Sequence, residues 1–277
     1  MRNNVQDVDA QRVDVQHTDV QAFAVSNLRR RPAVVDVACF VLGLDPSTTS
    51  PYLNYATPEP GARPSGDDVA ALIEAFQARG LKPRLEFAPD AAPEVEPALR
   101  AAGFTTEAVH TYLVCTPATL TPPPSPSPSG LLVETPRTDA DFAAIDAALS
   151  EAFDSAFAAS EEGAARLRRI QESGGAVRFV RDSDGGCAGA GTCSAPAVGT
   201  SELAGVGTRP AFRGRGVAGS VTAALAEALF AGGARSVWLE YSGEGSRQVY
   251  ERVGFRPGGT RLYMALEDGH GGATNRS

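Results

Sequence analysis

Three histidines and four cysteines are all that this 277-residue chain offers a soft metal ion. His17 and His270 fall in polar terminal segments, and Cys39, Cys115, Cys187 and Cys193 lack a paired spacing such as Cys-x-x-Cys. A His/Cys metal site is not expected, and the cysteines read as free, mostly buried, small apolar residues. Basic charge is also short: 25 Lys and Arg stand against 33 Asp and Glu, a formal charge of −8. That balance argues against a nucleic-acid partner, which calls for a basic face, while leaving room for a local basic pocket. No apolar run approaches the roughly 20 residues that span a bilayer. Met1 to Asn27 lack the apolar stretch of a signal peptide. A cytoplasmic protein without a membrane partner is the expectation.

What the chain does contain is a succession of short strand-like and helical segments. Residues 1–31 are rich in Gln and Asp, end in Arg29-Arg30-Arg31, and read as a disordered extension. Beyond Pro32 a strand is expected over Val34–Leu42, then a turn-rich stretch over Asp45–Pro64. Asp67 reads as the cap of a helix carrying Val69, Leu72, Ile73 and Phe76 at helical spacing. A strand (Arg84–Phe87), a helix (Pro93–Ala102) and a strand (Val109–Cys115) complete the first half. The Thr-Pro-Pro-Pro-Ser-Pro-Ser-Pro-Ser run at Thr121–Ser129 forbids helix and reads as an extended linker. It would separate a domain over 32–120 from one over 130–268, with a flexible tail at 269–277.

The second half opens with a strand, Leu131–Glu134. Thr138 and Asp141 then form a capping pair ahead of Phe142, Ile145, Leu149 and Phe153. A helix over Ser160–Gln171 follows. Strands over Ala176–Arg181 and Cys187–Cys193 flank Asp184-Gly185-Gly186, a hairpin signal. After the strand that Glu202 begins come a helix (Gly216–Phe230), a strand (Ser236–Tyr241), a helix (Ser246–Val253) and a last strand (Thr260–Leu266). Leu85-Glu86-Phe87, helix, Gly103-Phe104 in one half parallels Leu239-Glu240-Tyr241, helix, Gly254-Phe255 in the other. That echo suggests a duplicated module.

The chemistry concentrates between Glu202 and Ala218. A short strand breaks at Pro210, turns through Arg213-Gly214-Arg215-Gly216, and becomes an Ala-rich helix at Val217 and Ala218. Uncapped amides at a helix start, with the macrodipole behind them, suit an anion such as phosphate. Arg213 and Arg215 can add charge-assisted contacts. The alternative is a surface turn with two solvated arginines. No Gly-Lys-Ser/Thr follows, so this is not a P-loop, and the Gly-x-Gly-x-x-Gly fingerprint is absent.

With its preceding strand, the Trp238-Leu239-Glu240 strand and Tyr250-x-x-x-Gly254-Phe255, the stretch resembles the GNAT superfamily of acetyl-CoA-dependent N-acetyltransferases. That family's Gln/Arg-x-x-Gly-x-Gly/Ala signature is met by Arg213, Gly216 and Ala218. The likeness covers about residues 131 to 266 and implies an α/β fold with a mixed sheet. Two tandem GNAT-like modules follow, the second complete and the first degenerate.

The resemblance further implies that acetyl-CoA is the co-substrate, its pyrophosphate held by the amides of Arg213, Gly214, Arg215, Gly216, Val217 and Ala218. Val206, Gly207 and Thr208 would pair with the pantetheine arm like an added strand. Tyr250 matches the family's frequent general acid, and equally reads as a core tyrosine. Glu202 stands where several members carry a general base, and otherwise reads as an edge carboxylate. Two departures stand out: Gly243 replaces a common Asn, and Ser246 a common Ala. Ser246 reads as a helix N-cap or as a substitute hydroxyl for the coenzyme. An acceptor pocket is expected between the Asp141–Gln171 helices, the Cys193–Ser201 loop and the Gly254–Leu262 segment. Phe153, Phe157 and Glu161 are candidate lining, or otherwise ordinary positions of amphipathic helices, and Asn54-Tyr55 is a first-half contribution. The implied activity is acetyl transfer to a primary amine of a small molecule or peptide by direct attack in a ternary complex; the oligomeric state, a homodimer included, is left open. A non-catalytic acyl-CoA-binding or sensing module is the alternative. An RNA-binding Arg-Gly segment fits poorly with an acidic chain.

Overall fold

The computed structural model describes residues 19–121, 132–182 and 184–267. Most of the expected N-terminal extension, the Pro/Ser linker beyond Thr121, and the tail at 269–277 therefore lie outside the described residues. Contacts divide the chain into two compact units, residues 1–110 with 259–277, and residues 111–258.

The first unit begins with a helix at residues 19–28 (α1), where the sequence reading placed disorder. Val20, Phe23 and Leu28 are buried on it at helical spacing, a pattern hidden by the polar alternation upstream. Gln21, also buried, donates from Nε2 to Thr57 Oγ1 (2.8 Å) and the Pro58 carbonyl (2.6 Å), and its Oε1 accepts from Ala88 N (2.8 Å). The expected strand over Val34–Leu42 is a hairpin, β1 (Ala33–Val37) and β2 (Phe40–Leu44), because Ala38 turns the chain at φ 50° without a glycine or proline to announce it. β3 (Tyr55–Pro58) lies inside the stretch read as turns. α2 (Gly66–Gln77) is capped by Ser65 rather than Asp67, in a reciprocal box with Asp68. β4 (Arg84–Phe87) and α3 (Val95–Ala101) stand as expected, and β5 (Phe104–Cys115) starts earlier than expected. Phe40, Leu72, Phe76, Leu85, Phe87 and Leu99 anchor this unit's core.

The second unit holds β6 (Val133–Glu134), α4 (Asp139–Ala152), α5 (Glu161–Glu172), β7 (Ala176–Arg181), β8 (Cys187–Cys193), β9 (Thr200–Thr208), α6 (Val217–Ala231), β10 (Ser236–Glu240) and α7 (Glu244–Val253). Its strands run in the order β5-β10-β9-β8-β7-β6. The β9–β10 pair is parallel. Thr138 and Asp141 form the expected capping box on α4, and Ser160 caps α5. The two faces of the sheet carry separate cores: α6 and α7 bring Val221, Leu225 and Tyr250 to one, α4 and α5 bring Phe142, Ile145 and Leu167 to the other.

The last strand of each half is exchanged. Tyr112–Cys115 of β5 pair with β10 in the second unit, while Leu262–Ala265 of β11 (Arg256–Leu266) pair with β4 in the first. The units therefore differ from domains divided at residues 120 and 130, since pairing rather than linker composition draws their boundary.

Candidate functional site

β9 is the strand on which the site is built. It pairs with β10 only through Thr200, Ser201 and Glu202, so among the described residues the edge from Leu203 to Thr208 has no strand partner on that side. Against β8 its register shifts: Ala190 faces Gly207, whereas Thr192 faces Ala204. β9 thus carries one extra residue, a bulge centred on Gly205 at φ 64°. The three residues expected to hold an extended ligand arm, Val206, Gly207 and Thr208, lie on this open edge just past the bulge.

Pro210–Phe212 then make a single 3-10 turn, and Gly214 (φ 75°) and Gly216 (φ 85°) bring the chain into α6. Both glycines sit in the left-handed region, which other residues enter at a cost of about 1–2 kcal/mol. Gly216 is the N-cap and no side chain caps the helix, so the first-turn amides of Val217 and Ala218 keep their donors directed out of the helix start. The two arginines part ways. Arg213 donates to the carbonyls of Thr208 (3.4 Å) and Ala152 (3.1 Å), tying the turn to the end of α4. Arg215 lies exposed over the Phe212 ring, 5.3 Å from its centroid.

Tyr250 is buried in the α6–α7 core, its ring 6.1 Å from that of Phe255. Burial pushes its hydroxyl up to about 12, which keeps it protonated at neutral pH. Glu202 is half-buried at the last paired position of β9, opposite Trp238. Its neighbour Leu203 belongs to the α6-side core, so strand alternation places Glu202 and Ala204 on the opposite face. Ser194 anchors its backbone, donating N–H to the Glu202 carbonyl (2.9 Å) and accepting the Glu202 N–H on Oγ (3.1 Å). Ser246 is not the cap of α7; Gly243 is, at φ 81°. The Ser246 hydroxyl turns back onto the carbonyls of Ser242 (2.6 Å) and Gly243 (2.9 Å) within the first turn.

On the α4/α5 face a cleft of about 550 Å³ opens beside the bulge, lined by Leu149, Phe153, Phe157, Thr192, Ala204 and Gly205 among others. Phe153 is 41% exposed although apolar. Glu162 rather than Glu161 reaches the lining. The connection from α4 to α5 is strained, with Asp154 (φ 54°) and Ser155 (φ 58°) both left-handed. It is held from below by Ser150 Oγ, which donates to the Phe157 carbonyl (2.6 Å), and by the buried Asp146, which accepts from Ser160 N (2.8 Å). Sequence reasoning missed Asp146, Ser150 and the bulge; Gly205 in the Ala-Gly-Val-Gly run was the available signal. Asn54 serves its own loop in the first unit, accepting from Asp45 N (2.8 Å) and donating to the carbonyls of Thr48 (2.9 Å) and Ser50 (3.1 Å). Among the described residues no His/Cys/Asp/Glu cluster could hold a metal ion, and no helix is long and apolar enough to cross a membrane.

The acetyltransferase (GNAT) family model matches residues 143–255. A GCN5-related N-acetyltransferase from Kribbella flavida is similar over 92% of this chain and 96% of its own, at 23% identity and a TM-score of 0.75. One from Sphaerobacter thermophilus is similar over 83% of this chain and 78% of its own, at 17% identity and a TM-score of 0.60. A tandem GNAT protein from the clavulanic acid biosynthesis pathway is similar over 93% of this chain and 96% of its own, at 13% identity and a TM-score of 0.58. No curated protein matches the sequence. At these identities the likeness is one of fold, a mixed α/β architecture of two tandem GNAT-like modules.

Proposed function

We propose that residues 143–255, which the acetyltransferase (GNAT) family model matches, form an acetyltransferase domain, and that the chain moves an acetyl group from acetyl-CoA to a primary amine of a small molecule or peptide in one ternary complex. The observation that carries this reading is the open edge of β9 from Leu203 to Thr208, running directly into an uncapped helix start. An extended pantetheine arm requires unpaired strand groups, and a pyrophosphate requires convergent amides; here the two follow one another along the chain. Val206, Gly207 and Thr208 hold the arm, and the amides from Gly214 to Ala218 hold the pyrophosphate, with Arg215 adding charge, while the Arg213 amide closes the preceding turn on the Pro210 carbonyl (3.3 Å). Ser246 spends its hydroxyl on its own helix turn, which favours Arg215 and the loop amides over Ser246 as coenzyme contacts.

Acetyl-CoA supplies an activated thioester carbonyl. Glu202, on the cleft-side face where β9 and β10 part, takes a proton from the acceptor, directly or through water, so that a neutral amine attacks the thioester carbonyl. Tyr250 approaches from the α6–α7 side, and its hydroxyl returns a proton to the departing thiolate. Placement on opposite faces of the opening suits one group that serves the attacker and another that serves the leaving group. The cleft beside Phe153 and Phe157 receives the acceptor, whose apolar part the two rings would cover. The first half serves as a degenerate module of the same fold.

The test is acetyl transfer across a panel of amines, with thiol release as the readout, for the native chain, Tyr250→Phe and Glu202→Gln. Each variant is expected to lose about 10²–10⁴-fold in kcat with coenzyme affinity unchanged. Unchanged turnover in both would remove these two roles. Tight coenzyme binding with no turnover on any amine would favour an acyl-CoA sensor.

A further inference from the structure

Several arginines that this protein withdraws from solvent are matched to carboxylates. Arg84 meets Glu86 and Glu107, Arg181 meets Glu134 and Asp141, and Arg209 meets Glu151 and Asp182. Arg178, half-buried on β7, is different. It donates from a terminal guanidinium nitrogen to the carbonyl of the preceding residue, Val177 (2.8 Å), and among the described residues no carboxylate pairs with it. Burial lowers its pKa, and the nearby Cys193 thiol, itself raised by burial and so uncharged at neutral pH, supplies no charge to offset this. In a chain with an excess of acidic residues, a half-buried guanidinium without a carboxylate is costly and calls for a partner.

Arg178 faces a separate cavity of about 460 Å³ in the second unit. Gly174, Gly175, Ala228 and Gly232 leave the room, and Gln171 closes one side. Gln171 donates from Nε2 to the Pro136 carbonyl (3.2 Å), while its buried Oε1 accepts no hydrogen bond. The cavity lies at the C-terminal end of α6, whose 15 residues separate it by roughly 20 Å from the helix start assigned to pyrophosphate. It is thus distinct from both the coenzyme edge and the aromatic cleft.

We propose that this cavity is a second ligand site, in which Arg178 receives the oxyanion of a small carboxylate- or phosphate-bearing molecule. The volume suits a molecule of a few carbon atoms, and the planar guanidinium can bind either oxyanion through two parallel N–H donors. The inference stands apart from the acetyl-transfer reading, since it concerns neither the loop nor the cleft.

The experiment follows the Arg178 Nε–Hε resonance of the full-length protein, assigned by its loss in Arg178→Lys, during titration with inorganic phosphate and separately with succinate. Coenzyme A is kept saturating so that the loop amides are not the site observed. A saturable shift of this resonance is expected with at least one probe. Calorimetric affinity for that probe should fall at least tenfold in Arg178→Gln, and also in Ala228→Met, which fills the cavity without removing the charge. Arg178→Gln removes a half-buried charge that has no carboxylate and is expected to fold as well as the native chain. Preference for phosphate or for succinate identifies the oxyanion. A resonance unmoved by both probes, or calorimetric binding that survives both substitutions, overturns the proposal.

Discussion

Gly216→Ala separates the backbone strain of the loop from its role in binding. A Cβ added at Gly216 would meet no atom within 4 Å, so substitution creates no clash. The whole penalty is conformational: at φ 85° and ψ 2° an alanine costs about 1–2 kcal/mol. Gly233, just beyond the other end of α6 at φ 92°, is equally open and supplies the matched control. Both variants are expected to lose that amount of stability, a fall of roughly 2–8 °C in the midpoint of thermal unfolding. Their effects on the coenzyme should diverge. If the substituted alanine relaxes out of the left-handed region, the first amides of α6 rotate away from a bound pyrophosphate. Each lost hydrogen bond to a charged oxygen is worth about 1.5–3 kcal/mol, a tenfold to hundredfold rise in Kd. Calorimetry with coenzyme A on both variants, beside their melting curves, measures the two quantities together. Equal affinities in Gly216→Ala and Gly233→Ala would refute the assignment of the loop amides.

Asp141 accepts hydrogen bonds from the amides of Arg137 and Thr138 and pairs with Arg181, which holds its carboxyl far below the usual carboxylate range. A depressed folded-state pKa stabilises above the unfolded value of about 3.9, and the contribution is lost as pH falls through the folded value. Acid unfolding of Asp141→Asn, followed by circular dichroism, should therefore lose part of its pH dependence below about pH 4. Burial raises all four thiols, Cys115 to about 11 and Cys187 to about 12, but only Cys39 is partly exposed, so it alone should react with a thiol reagent before unfolding. Rapid modification of more than one thiol in the native state would contradict that burial.

Much of the second unit was legible because its signals are local. The Thr138–Asp141 box, the Asp184-Gly185-Gly186 hairpin and the glycine turn before α6 each lie within a few residues and need no tertiary partner. The first unit was less legible for the same reason in reverse. α1 is stabilised by burial of Val20, Phe23 and Leu28 and by the three hydrogen bonds of Gln21 to residues 36 to 67 positions away. Its own composition favours disorder, and tertiary packing overrides it. The β1–β2 turn was hidden because Ala38 adopts a conformation that its residue type rarely takes. The exchanged strands were hidden because hydrophobic alternation does not specify which neighbour a strand will choose.

The site shows the same division in sharper form. The glycine turn before α6 could be read because such a turn is a local object, needing glycine where φ is positive and a helix immediately after. The parting of β9 from β10 after Glu202 is a property of two strands, and nothing in either sequence alone states where their pairing stops. Yet that point decides how the loop can be used. Were β9 paired to its end, Val206, Gly207 and Thr208 would have no groups to offer an extended ligand arm, and the proposed coenzyme reading of the glycine turn would lose its support. The bulge at Gly205 contributes to the same end by twisting the strand just past the last shared pair. Restoring the regular register should therefore damage the acyl-arm edge without touching the loop. Deletion of Gly205 is the direct test: it is expected to weaken acetyl-CoA at least tenfold while adenosine 3′,5′-bisphosphate, which lacks the pantetheine arm, binds as before. Equal loss for both ligands would mean that the bulge supports the fold as a whole rather than the edge.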